Sequence, residues 1–129
     1  MELKYPLILD GATGTELQKC GYTNDVCAEA WTLEHPDAIV EIQKNYILAG
    51  TQMVYTPTFG ANWFQLKNHG LQDRCYEMNR QLAALSARAV AETAEELKKQ
   101  GRQPALIAGD ISPTGQFLYP LGTAHCERG

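Results

Sequence analysis

The chain has 129 residues, 44% hydrophobic and 20% charged, which is ordinary globular composition and long enough for one domain with a core. Its net charge of −4 leaves no basic surface for a polyanion, so a nucleic-acid partner is not expected. No run approaches the roughly 18 apolar residues of a membrane span, and MELKYPLILD lacks the long apolar stretch of a secretory leader, so the expected setting is cytoplasmic with no membrane partner.

Leu7 to Leu9 form a short apolar run closed by Asp10 and Gly11, the pattern of a buried strand. Thr13 to Lys19 suits one or two helical turns, with Gly21 as the stop. From Ala38 the period changes: Ile39, Ile42 and Tyr46 recur at helical steps, with Val40 and Ile47 beside them. His35-Pro36-Asp37 supplies the start and Gly50 the stop of a helix of about three turns. Gln52 to Thr56 reads as a second strand, ended by Pro57, which has no N–H to give a ladder.

Asn62 to Leu66 predicts a short helix. A longer one is expected from about Asp73 to Gln100: Met78, Leu82, Leu85, Ala89 and Leu97 mark an apolar stripe, Arg80, Arg88, Glu92 and Glu96 lie opposite, and Gly101 closes it. Ala105 to Ala108 reads as a third strand running into Gly109-Asp110. The order predicts an α/β chain with a parallel sheet. Its three strands empty into DGATGT, TPTFGAN and GDISPTG, and in parallel α/β folds the ligand sits at that end. After the third strand the pattern gives out over Gly115 to Gly129, as though the chain stopped mid-fold.

The first loop fails as a phosphate cradle. Gly11 and Gly14 are three apart with no lysine behind them, and Asp10 would repel a phosphate. Two readings remain. Asp10 accepts an ammonium while Gly11, Ala12 and Gly14 let backbone N–H groups reach an acidic end, as an amino-acid backbone would require. Otherwise Asp10 caps the following turn and the glycines supply positive φ. Thr56, Thr58 and Phe59 fit a pocket floor or a strand end equally, and Asp110 and Thr114 fit ligand contacts or an Asx-type turn. His35, His69 and His125 have no partner at metal-ligand spacing and read as surface or capping residues; Trp31 and Tyr46 read as core. Cys20, Cys27, Cys75 and Cys126 never form a C-x-x-C pair, which points to reduced, structural thiols.

Taken in order, LILDGATGTELQ, EAWTLEHPDAIVEIQKNYILAGTQMVYTPTFGAN and AGDISPTG resemble the homocysteine S-methyltransferase family, which includes betaine-homocysteine methyltransferase and the amino-terminal module of cobalamin-dependent methionine synthase. The resemblance runs over roughly residues 5 to 122. It implies the amino-terminal part, about three βα units, of a (β/α)8 TIM barrel, cut before its zinc-ligand half, and hence one domain over residues 1–129. It also implies transfer of a methyl group to the thiol of homocysteine or a related thiol. By resemblance, Asp10 and Gly11 hold the amino-acid end of the substrate, with Thr56, Thr58 and Phe59 beside it; the loop reading adds Ala12 and Asp110 to the candidate substrate-binding residues.

Zinc, held in the family by three cysteines, is implied as cofactor, with ligands beyond residue 129. None of the four cysteines here matches a ligand position, so no catalytic or metal residue is expected in this chain. Pro57 stands where the family usually has Asn, and Gln43 where it often has His. The methyl donor stays open among a betaine-like compound, S-methylmethionine, methylcorrinoid and methylfolate. Alone, the chain is expected to be inert and, with open sheet edges, to self-associate. The alternatives are a non-catalytic α/β binding or assembly module, and a corrinoid-linked methyltransferase with a different acceptor.

Overall fold

The computed structural model describes residues 5–122 and 124. His125 and Cys126 lie outside the described residues. The helices are α1 (Thr13–Lys19), α2 (Ala28–Glu34), α3 (Pro36–Ala49), α4 (Trp63–Lys67) and α5 (Cys75–Lys99), and the strands are β1 (Met53–Tyr55) and β2 (Leu106–Ala108). β1 and β2 pair in parallel, Val54 opposite Ile107. The observed class is mixed α/β with a small parallel sheet.

The punctuation residues act where the sequence places them. Pro36 opens α3 at a position that needs no N–H, and Gly50 (φ +133°) ends it. α3 has 14 residues, nearer four turns than the expected three. Asn62 caps α4 by accepting the Gln65 N–H at 3.0 Å. A 3-10 turn over Gln72–Arg74 leads into α5, and Gly101 (φ +67°) stops it.

The α5 stripe is buried at Met78, Leu82, Ala89 and Leu97, with Ser86 and Thr93 completing it. Ile39, Val40, Ile42 and Ile47 of α3, Val54 of β1 and Ala89 and Leu97 of α5 share one core, and Trp31 and Tyr46 pack against it. Each fully buried aliphatic side chain there contributes about 1.5–3 kcal/mol of transfer free energy. Arg102, just past α5, donates to the Ile47 carbonyl at 2.8 Å and the Leu48 carbonyl at 3.3 Å, placing a cation on the carboxyl end of α3.

One expectation is corrected. Leu7 to Leu9 does not form a strand; it makes one parallel bridge, Leu9 to Met53. The Gln52 side chain occupies the Ile8 N–H at 3.0 Å, while the Gln52 N–H bonds the Ile8 carbonyl at 2.8 Å. A side-chain amide thus takes the place of a ladder rung, and the segment lies beside β1 without regular pairing. α2 is an addition to the predicted elements: no apolar period announces it, because its buried positions are Glu29 and Thr32.

Candidate functional site

Asp10, Thr56 and Asp110 follow the three extended segments and meet at one end of the sheet. There they line a cavity of about 580 Å³ with Gly11, Phe59, Glu29 and Tyr22, within the usual range for a small-molecule site. Gly14, Leu17 and Thr32 add to its walls.

Asp10 does not cap α1. The residue at the cap is Ala12, and no side chain bonds the first turn. Asp10 Oδ2 instead accepts the Tyr55 N–H at 3.2 Å, and the Asp10 N–H bonds the Met53 carbonyl at 3.2 Å, which ties the loop to β1. Burial pushes the Asp10 carboxyl above the ordinary carboxylate range; backbone N–H bonds pull it down, and the nearby Asp110 charge adds to the rise. The glycines do not serve positive φ either, since neither Gly11 nor Gly14 has it. Gly11 serves close approach: a Cβ there would lie 2.8 Å from the Tyr46 hydroxyl oxygen. That hydroxyl donates to the Ala12 carbonyl at 3.1 Å, so Tyr46 is an anchor for the loop as well as a core residue.

The other two loops are joined by a ring of hydrogen bonds. The Asp110 N–H donates to Thr56 Oγ1 at 3.1 Å, and the Thr58 hydroxyl donates to the Asp110 carbonyl at 2.8 Å. The two hydroxyl oxygens are 2.7 Å apart. Because the single Thr58 proton is committed to Asp110, Thr56 must be the donor between them, which closes the ring in one direction. Gln43, buried on α3, donates to the Tyr55 carbonyl at 2.8 Å and supports the same strand end. Asn62 Nδ2 reaches Ser112 Oγ at 3.3 Å, a second tie between the loops.

Of the residues singled out in the sequence, Asp10, Gly11, Thr56, Phe59 and Asp110 line the cavity. Ala12 and Thr58 do not: Ala12 offers its carbonyl to Tyr46, and buried Thr58 is engaged in the hydroxyl ring. The Asp110 backbone joins the ring while its side chain makes no hydrogen bond among the described residues, so it does not form an Asx-type turn. Thr114 does form a local turn, its hydroxyl accepting the Gln116 N–H at 3.2 Å. Glu29, Tyr22 and Thr32 are cavity residues that motif spacing missed. The single available signal was a charged residue within an otherwise apolar AEAW run.

The described thiols do not suit a zinc site. Cys20 is exposed at the end of α1, Cys27 is buried beside Glu29, and Cys75 donates to the Ala61 carbonyl at 3.2 Å. Among the described residues no three His, Cys, Asp or Glu side chains come together as metal ligands, and no helix is long and apolar enough to cross a membrane. His35 caps between α2 and α3, its ring stacked on Trp31 at 4.2 Å, and His69 is exposed.

Loops gathered at the ends of parallel extended segments define an α/β protein with a cavity of small-molecule size at its strand ends. The chain belongs to the homocysteine S-methyltransferase family, whose model matches residues 7–128. It is 32% identical over 122 residues to methionine synthase of Mycobacterium tuberculosis, covering 90% of this chain and 10% of that protein. To betaine–homocysteine S-methyltransferase 1 of Pongo abelii it is 32% identical over 118 residues, 87% of this chain and 26% of the relative. The metallated form of the homocysteine methyltransferase MmuM from Escherichia coli superposes with a TM-score of 0.73 at 27% identity, over 84% of this chain and 38% of that one. The chain thus spans about a quarter or less of these two curated relatives.

Proposed function

We propose that this chain forms the amino-acid-holding part of an S-methyltransferase acting on homocysteine or a closely related thiol. Within that reading it is the amino-terminal portion of a (β/α)8 barrel, and the zinc that activates the thiol is held by residues outside it. One observation carries the assignment: among the described residues Asp10, Glu29 and Asp110 line the cavity, and no lysine, arginine or histidine does. Such a cavity favours a ligand with a cationic group, and an ammonium beside Asp10 supplies it. The ammonium also offsets the desolvation that raises the Asp10 pKa. Gly11, held against Tyr46, lines the same cavity next to Asp10. This chain positions the substrate, and the reaction at sulfur belongs to the zinc-bearing part; alone, the chain binds without turnover.

Calorimetry with homocysteine and with 4-mercaptobutanoate, which lacks only the amino group, tests the assignment. Homocysteine is expected to bind and the analogue to fail; equal affinity for the two would remove the ammonium role. Self-association belongs to the same reading, because Leu9 and Tyr55 keep apolar surface in solvent on the sheet. Sedimentation at rising concentration should show dimers or larger species, and a monomer throughout would refute it.

A further inference from the structure

Glu29 is a buried carboxylate that the assignment above uses only as charge. It is 8% exposed, and among the described residues it has no ion-pair partner. Burying such a group is costly unless hydrogen bonds replace water. Here Oε1 accepts the Gly60 N–H at 2.7 Å, and Oε2 accepts from the Cys27 thiol at 3.4 Å. A Cβ at Gly60 would sit 2.7 Å from Oε1, so any other residue there would make the Glu29 carboxylate shift.

Downstream the same loop is held at Ala61, whose carbonyl accepts from Asn79 Nδ2 at 2.6 Å and from the Cys75 thiol. Upstream it is held at Thr58 by the hydroxyl ring. Phe59, between Thr58 and Gly60, makes no hydrogen bond of its own among the described residues and is 63% exposed, yet it lines the cavity. Its place is therefore set by its neighbours.

We propose that Glu29 is a positioning residue: by fixing the Gly60 N–H it seats Phe59 at the cavity wall and so shapes the ligand site from α2, a helix that contributes no residue to the three motif loops. The inference rests on the cavity being the amino-acid site, but the loop can be read without any ligand.

The chain has three phenylalanines, so 4-fluorophenylalanine labelling gives three 19F lines, and Phe59→Leu identifies one of them. In Glu29→Ala the Phe59 line should move toward the free amino-acid position, and the Gly60 amide should exchange at least about tenfold faster. The Phe64 line and the α3 and α5 amides should stay put. Glu29→Gln should restore both readouts, since its amide oxygen still accepts from Gly60. An unmoved Phe59 line with unchanged Gly60 protection in Glu29→Ala, or no restoration in Glu29→Gln, overturns the proposal.

If Glu29→Ala also loses α3 and α5 protection, Glu29→Asp decides, because it keeps the charge and withdraws the oxygen by one methylene. A displaced Phe59 line in that variant supports the proposal, and a wild-type line overturns it. Homocysteine affinity is then measured separately, with a loss of about tenfold expected in Glu29→Ala. Undiminished affinity overturns the positioning role. A wild-type chain that fails to bind at all removes the proposed function, leaving the 19F and exchange results to judge Glu29.

Discussion

Ile39, Val40 and Ile47 of α3 share a core with Ala89 and Leu97 of α5 and are fully buried, whereas Leu9, Tyr55 and Ile107 beside or within the sheet are 40–42% exposed. Both regions are apolar, but only the helical one is covered. Val54 shows the contrast within one rung of the sheet: it is fully buried, while its register partner Ile107 is not. Parallel strands are ordinarily covered on both faces. The stability of this chain therefore resides in the helix pair and the β1 face beneath it. The strand-end loops, by contrast, are held by polar ties between backbone and side chain.

That contrast orders the expected effects of substitution. Ile39→Ala, within the closed core, should cost about 2–5 kcal/mol in denaturant unfolding. A cost near zero would mean that the helix pair is not the stable part. Gly11→Ala drives a methyl group into Tyr46 and should cost about 1–3 kcal/mol, the usual range for overpacking. It should also abolish homocysteine binding, because the ring can withdraw only by releasing the Ala12 carbonyl. A variant that binds normally would show that the Tyr46 contact does not shape the loop.

Asp10→Asn should have the smallest effect on stability and the opposite sign. Because the folded-state pKa of Asp10 is raised, the folded protein holds that proton more tightly than the unfolded chain does. Ionisation of Asp10 therefore costs stability above the raised pKa, and this cost vanishes below its ordinary value of 3.8. Asp10→Asn should accordingly be slightly more stable than wild type at neutral pH and lose that advantage as the pH falls. It should also bind homocysteine poorly at every pH. In the wild type, affinity should fall with acidification at a pH above the ordinary carboxylate range. A wild-type affinity that stays flat through that range would argue against an ionised Asp10 in binding.

The elements most legible in the sequence were those where one physical signal dominates. α3 and α5 carried an apolar period with a proline or glycine at an end, and both formed close to the expected bounds. The three loops were legible because strand periodicity stops abruptly at Asp10, Pro57 and Gly109. What escaped notice depended on contacts distant in sequence. α2 buries a glutamate whose partner is the Gly60 N–H, 31 residues away, so local pattern could not distinguish it from an exposed turn. The Leu7 to Leu9 segment has the composition of a strand, but Gln52 intercepts one of its rungs. For Gly11 the positive-φ alternative falls away, and the close approach of the Tyr46 ring is a constraint that spacing did not reveal.

The directed ring through Thr56, Thr58 and Asp110 bears on how such a site can change over generations. Valine at either threonine would leave a neighbouring polar group without its partner, while serine would preserve the circuit. Since Asp110 joins through its backbone, its side chain can vary without opening the ring. Replacing one threonine alone by an apolar residue therefore costs a hydrogen bond that replacing the Asp110 side chain does not.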